Sequence, residues 1–231
     1  MSSARRQAAP LFAGARMLIG CMNVYQDAML LGVSLPALLS RVDRVVVADG
    51  AYRDFQAYGE SPSSNDGTQN LARHFGAEVI EARPGLDEPA KRSRYFVGNP
   101  GDWYIVVDAD EVLEGMGRAA LKTALSATQC DDFQIPFCQA EAPWEANHRS
   151  VFRMHRHRIG MRYHGTHHAL HVPGPDGQLV MPTKPGTAPK FEGLLLRHLQ
   201  MARPADRQNR KAAYYQKLGA TEREFRAAHG L

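Results

Sequence analysis

The stretch YIVVDADEVL, residues 104–113, decides the fold. Tyr104, Ile105, Val106 and Val107 form an unbroken apolar run, and three acids follow at Asp108, Asp110 and Glu111. A run apolar at every position suits a strand covered on both faces, as in a parallel sheet flanked by helices. Such a strand should not end in three negative charges without a partner, because an uncompensated carboxylate is costly to bury. Alternation sends Asp108 and Asp110 to one side and Glu111 to the other. Two oxygen ligands on one side suit a hard divalent cation, Mg2+ or Mn2+, that keeps several waters and bridges to phosphates. An acid pair can equally close a solvated turn, so the neighbouring segments carry the decision.

Those segments repeat the pattern. ARMLIGCMNV (15–24), DRVVVADG (43–50) and AEVIEA (77–82) read as buried strands. Between them lie helical stretches at 27–42, 65–76 and 88–99. Asp27 is a candidate N-cap, Pro36 a kink or turn, Asp66 or Thr68 a second cap, and Gly76 a stop. With 102–113 as the fourth strand, the order is β-α-β-α-β-α-β, with crossovers of helical length. That order predicts an α/β fold with a parallel, doubly wound sheet. After residue 115 the pattern changes. A helix is expected at 116–128, strands from 131, at 149–158, 167–172 and 190–200, a flexible loop at 173–190, and a helix at 203–230.

Composition bounds the possibilities. The chain has 231 residues, 44% of them apolar, enough for one sizeable core. The net charge of +4 suits anionic ligands without identifying one. Three cysteines, Cys21, Cys130 and Cys138, form no C-x-x-C pair, which argues against a thiolate zinc site and for a reducing cytosol. Residues 1–15 lack a signal peptide's apolar core and read as a loose tail, and no apolar run is long enough to span a membrane.

In an open parallel sheet, ligands bind beyond the carboxyl ends of the strands. Asn23, Asp49, Arg83 and the pair Asp108/Asp110 follow strands one to four and are expected at one edge.

The order CMNV, VDRVVVADGAYRD, KRSR, GDWYIVVDADEVL resembles glycosyltransferase family two over about residues 17–115. The resemblance implies a GT-A type fold, a Rossmann-like, mostly parallel sheet with helices on both faces and a mixed C-terminal part. It implies one domain over 16–231: a nucleotide-sugar-binding half (16–115), an acceptor and metal half (116–202) and a C-terminal helix (203–231). Asp49 would receive the base or ribose, and Asp108 and Asp110 of the D-x-D element would bind Mn2+ or Mg2+ and the donor diphosphate. Lys91, Arg92 and Arg94 would face the donor, which the resemblance makes a nucleotide sugar, with UDP first. More loosely, RSVFRMHRHRIGMRYHGTHHAL (149–170) is similar to a stretch of one branch in which His-Glu stands where this chain has His167-His168. LLRHLQ is similar to a later strand with a metal-side His, here His198. The chain also departs from the family after Asp49, where YRDFQAYGESPSS is inserted, either as a lid or as a tolerated surface loop.

Inverting transfer needs a general base, in this family usually a carboxylate under the acceptor. Glu141 is the first choice, with Glu145 and His168 behind it, and Trp144 beside them suits stacking on a sugar or base. Six histidines fall in 155–171: His155, His157, His164, His167, His168 and His171. Without H-E-x-x-H or a nearby Cys, they fit an acceptor rim better than a zinc centre. The acceptor is open between a glycan, a lipid-linked glycan met at a membrane surface, a protein and a modified nucleobase. Two other functions compete. A nucleotidyltransferase would want a Gly-rich basic loop after strand one, which CMNVYQD lacks. A non-catalytic nucleotide- or glycan-binding protein would not need the intact Asp49, Asp108 and Asp110.

Overall fold

Four apolar runs become the parallel strands β1 (Leu18–Asn23), β2 (Arg44–Ala48), β3 (Glu78–Ile80) and β4 (Trp103–Asp108). Between them run α1 (Ala28–Leu39), α2 (Thr68–His74) and α3 (Glu88–Ser93). The computed structural model describes residues 16–53, 61–140 and 149–199 and, beyond them, Ala205, Asn209, Ala213 and Gln216. Of Thr166, His167, His168 and Pro185 it describes the backbone alone.

After β4 come β5 (Glu111–Gly115), α4 (Arg118–Ala127), β6 (Asp132–Gln139) and β7 (Arg149–Arg156). Then follow β8 (Arg162–His164), β9 (Thr166–Pro173), β10 (Leu179–Val180) and β11 (Leu194–His198). One eight-stranded sheet has the order β3-β2-β1-β4-β7-β6-β11-β5, and β10-β9-β8 form a small second sheet. β7 runs antiparallel to β4 and β6, β11 parallel to β6, and β5 antiparallel to β11. Hence β1, β2, β3, β4, β6 and β11 all point the same way, and their carboxyl ends share one edge. The fold is α/β with a mostly parallel sheet and a mixed C-terminal part, as the sequence predicts.

Alternation builds two cores. Leu18, Met22, Val45, Val47, Ile105 and Val107 face Leu31, Leu35 and Leu38 of α1 and Leu121 and Leu125 of α4. Ile19, Cys21, Val46, Ala48, Tyr104 and Val106 face Tyr95, just beyond α3, and Tyr163 and Leu170 of the small sheet. Helices therefore cover one face, and the small sheet with the residues after α3 covers the other. Each large apolar side chain buried this way contributes about 1.5–3 kcal/mol. Gly20 allows α1 to sit close, because a Cβ there would lie 2.7 Å from Leu38 Cδ2.

Several local expectations change. Within 102–113, read as the fourth strand and its exit, β4 ends at Asp108, the chain turns at Ala109–Asp110, and the exit becomes β5, which pairs with β11. Nothing in the turn is Gly or Pro, so alternation gave no sign of it. The third helix stops at Ser93, well short of Asn99. The segment 173–190, expected as a loop, contributes β10 and a short turn at Pro185–Thr187. Pro36 lies inside α1. Asp27 makes no side-chain cap; Asp66 Oδ2 accepts from Ala28 N at 3.0 Å, and its Oδ1 from Thr68 N at 3.1 Å, so one acid serves two helix starts. Among the described residues, no helix is long and apolar enough to cross a membrane.

Candidate functional site

The shared carboxyl edge is where the polar groups gather. β1 sits between β2 and β4, with Asn23 in register with Ala48 on one side and Asp108 on the other. Helical crossovers leave to both sides of this point, which opens a crevice there. Gln139 and His198 end β6 and β11 at the same edge, in register with each other.

Asp108 is clamped by two arginines. Arg92 Nη1 donates to Oδ1 at 2.8 Å and Arg153 Nη2 to Oδ2 at 2.8 Å. Arg153 Nη2 also reaches Glu111 Oε1 at 2.8 Å, and Glu111 Oε2 accepts from Asp108 N at 2.8 Å. Glu111 thus folds back beside Asp108, because the turn at 109–110 cancels the alternation that would have sent it away. Burial alone would raise the Asp108 pKa, but Arg153 and Arg92 outweigh it and hold the carboxyl well below the usual range. Glu111 moves the other way, raised by burial against the pull of Arg153. Each oxygen of Asp108, expected as a metal ligand, thus takes one guanidinium hydrogen. Arg153 was not singled out in the sequence. It is aimed by a β-bulge, where Phe133 and Gln134 face Met154 and Phe152 and leave Arg153 as the extra residue.

A second chain of bonds runs from Asn23. Its Nδ2 donates to Tyr52 OH, Tyr52 OH to Glu88 Oε1 at 3.1 Å, and Arg92 Nε to the same oxygen at 2.9 Å. The phenol hydrogen goes to a carboxylate, so the amide must turn its NH2 to Tyr52. Asn23 Oδ1 is left buried with no hydrogen-bond partner among the described residues. Lys91 lies beneath, its Nζ donating to Val24 O at 2.7 Å and to Gly50 O. Burial, partly offset by Asp49, lowers its pKa to about 7. Asp49 is 1% exposed. It accepts from Ser64 N at 3.1 Å, Ser64 Oγ at 2.5 Å and Gln69 Nε2 at 2.7 Å. Asp49, expected to receive the base, here fastens the far foot of the insertion, while Tyr52 fastens the near one.

Asp110 and His198 face each other, His198 Nε2 lying 3.1 Å from Asp110 Oδ2. Nδ1 of the same ring lies 3.0 Å from Gln139 Oε1. Adjacent ligands of an octahedral ion bound at about 2.1 Å are about 3.0 Å apart. A carboxylate oxygen and an imidazole nitrogen at this separation fit Mn2+ or Mg2+ completed by water and phosphate. Among the described residues, no group of three or more His, Cys, Asp or Glu side chains is arranged to hold a metal ion.

The other expected residues scatter. Arg83 is exposed beyond β3. Arg94 donates to Glu81 O at 2.6 Å, away from Lys91, with its pKa lowered by burial and by Arg83. Glu141, Trp144 and Glu145 lie outside the described residues, as does the inserted segment 54–60 and the His167 and His168 side chains. His155 and His157 are not rim residues: β7 runs antiparallel and carries them to the opposite edge. There His155 binds Asp132 at 3.0 Å and His157 binds the Tyr104 hydroxyl at 2.6 Å.

No protein-family model matches the chain. A TPR repeat-containing protein of Synechococcus elongatus is 26% identical over 162 residues, covering 69% of this chain and 37% of that protein. Among solved structures, residues 1–349 of S. aureus TarS superpose with a TM-score of 0.42 at 15% identity, over 57% of this chain and 38% of that one. A mannosyltransferase from Pyrobaculum calidifontis, in complex with GDP-Man and Mn2+, gives 0.39 at 17% identity, over 55% and 36%. Glucosyl-3-phosphoglycerate synthase from Mycobacterium tuberculosis, with Mn2+ and UDP, gives 0.35 at 15% identity, over 59% and 51%. The chain spans about two fifths of the length of the first relatives it matches.

Proposed function

We propose that the chain is a metal-dependent, inverting glycosyltransferase of GT-A type that moves a sugar from a nucleotide sugar, UDP-linked in the first instance, to an acceptor hydroxyl. The observation carrying this reading is the Asp110–His198 pair at the carboxyl edge, its atoms 3.1 Å apart and Asp110 two residues beyond the end of β4.

Asn23, at the end of β1, is our candidate for the donor's base or ribose, supported by its buried Oδ1, which lacks a hydrogen-bond partner among the described residues. Asp108, its side chain 21% exposed, keeps accepting capacity toward a donor hydroxyl, while Arg92 and Arg153 hold it ionised and in place. Lys91 and Arg92 act from below, bracing strand ends and carboxylates, and Arg83 and Arg94 stand at the rim beyond β3. Asp110 and His198 would hold the cation, which supplies charge neutralisation to the diphosphate leaving group. β6 delivers the chain to this edge two residues before Glu141, our choice of base, with Glu145 and His168 as alternatives. The base takes the acceptor hydroxyl proton, and the oxygen attacks the anomeric carbon from the face opposite the diphosphate. The bond from that carbon to the phosphate oxygen then breaks with inversion, releasing the nucleoside diphosphate.

Thermal-shift profiling with UDP-, GDP- and CDP-sugars, with and without Mn2+, tests this. Mn2+-dependent stabilisation by one nucleotide class, lost in Asp110→Asn, is expected. No stabilisation by any nucleotide sinks the proposal. Pyrophosphate release would turn it into a nucleotidyltransferase, and tight binding without donor turnover into a binding protein.

A further inference from the structure

We propose that Gln139 is the positioning residue of the cation site: its side-chain carbonyl keeps a proton on His198 Nδ1, so that Nε2 is the nitrogen offered, with Asp110 Oδ2, to one shared cation. This rests on the metal reading of the Asp110–His198 pair. Gln139 belongs to no motif in the sequence. It reaches His198 because β6 and β11 run parallel with these two residues in register. Two residues earlier on β6, Phe137 packs its ring 5.3 Å from the imidazole at an interplanar angle of 39°. The ring is therefore held on one side by an aromatic face and at one nitrogen by an amide.

The chemistry follows from what each atom can do. A carbonyl oxygen only accepts, so the nitrogen 3.0 Å from Gln139 Oε1 must carry the hydrogen. That fixes Nδ1–H. The opposite nitrogen then faces a carboxylate oxygen at 3.1 Å, acceptor against acceptor unless something positive lies between them. A divalent ion bound between them would fill that role. The same use of a carbonyl behind a ligating histidine is general: it sets the tautomer, orients the ring and raises its basicity, and its loss typically costs 10–100-fold in metal affinity.

Two measurements on the full chain decide the matter. The first is 15N imidazole NMR of metal-free protein, with the His198 signal assigned by its loss in His198→Gln. The second is Mn2+ binding by calorimetry. Gln139→Glu keeps an acceptor, whereas Gln139→Leu and the unbranched Gln139→Met remove it at similar volume. We expect the Nδ1–H signature in wild type and Gln139→Glu, and a mixture of tautomers in whichever apolar variant folds. Mn2+ affinity should fall about 10–100-fold in that variant and stay within about threefold of wild type in Gln139→Glu. An apolar variant with unchanged tautomer and unchanged Mn2+ affinity overturns the proposal. If wild type binds no Mn2+, the metal reading fails, while the metal-free spectra still judge Gln139: an unchanged tautomer overturns its role, and a lost one upholds it.

Discussion

Each edge of the large sheet sets a histidine against an aspartate, and the two pairs are built differently. Where the strands begin, Asp132 accepts from His155, from both terminal nitrogens of Arg158 at 2.8 and 2.7 Å, and from the Thr183 hydroxyl at 2.6 Å. Both members of that pair are 0% exposed. Burial would raise the Asp132 pKa, but His155 and Arg158 outweigh it and hold the carboxyl far below its ordinary range. The cluster joins β6, the end of β7 and the segment before Pro185. Where the strands end, His198 keeps 13% of its side chain open and has an amide behind it in place of a second cation. The residue types are nearly the same. Strand direction and the donors behind the acid decide which pair ties elements together and which one stands at the edge where we propose the cation.

The largest expected effect shows that the ligand edge also has a structural layer. Arg153→Met leaves Asp108 and Glu111 buried without their shared cation and should cost about 3–5 kcal/mol in urea unfolding. Adding Glu111→Gln should recover part of the loss, since the Glu111 pKa is already raised. A loss under about 1 kcal/mol would mean the clamp is not formed.

The same substitution at the two edges sharpens the contrast. Asp132→Asn should lower stability by about 2–3 kcal/mol, because its charge-assisted bonds lose strength together. Mn2+ affinity should not move. Asp110→Asn should change stability by no more than about 1 kcal/mol and weaken Mn2+ binding at least about 100-fold. Equal effects on both readouts at both positions would erase the distinction drawn here.

Much of this was legible in the sequence because buried parallel strands announce themselves as apolar runs, and helices by their spacing. Asn23, Asp108 and Asp110 stood out as strand ends, and the family resemblance singled out His198 and the D-x-D pair. What stayed hidden depended on long-range register. Arg153 points at Asp108 only because a bulge re-aims it, and Gln139 meets His198 only because β6 and β11 pair in parallel. His155 and His157 looked like rim residues until the antiparallel course of β7 put them at the far edge. Asp49 looked like a ligand group because Ser64 and Gln69, which hold its oxygens, stand fifteen and twenty residues on.

The smallest expected effect concerns Lys91, buried at this edge with its ammonium on the carbonyls of Val24 and Gly50. Its folded pKa is about 7, against about 10.4 for an unfolded chain. Between these values the unfolded chain holds a proton that the folded one lacks, so this group makes stability rise with pH above 7. Below 7 both states are protonated and its contribution is flat. From pH 7 to 8 the rise is about 1 kcal/mol. Cys21 and Tyr95, whose pKa values burial raises, pull the other way at alkaline pH. The informative quantity is therefore wild type minus Lys91→Met, from urea midpoints at matched pH. That difference should grow from pH 7 to 8 and continue to about 10. A flat difference would mean that Lys91 keeps its proton when folded, and that the carbonyls of Val24 and Gly50 stabilise its charge as well as water does.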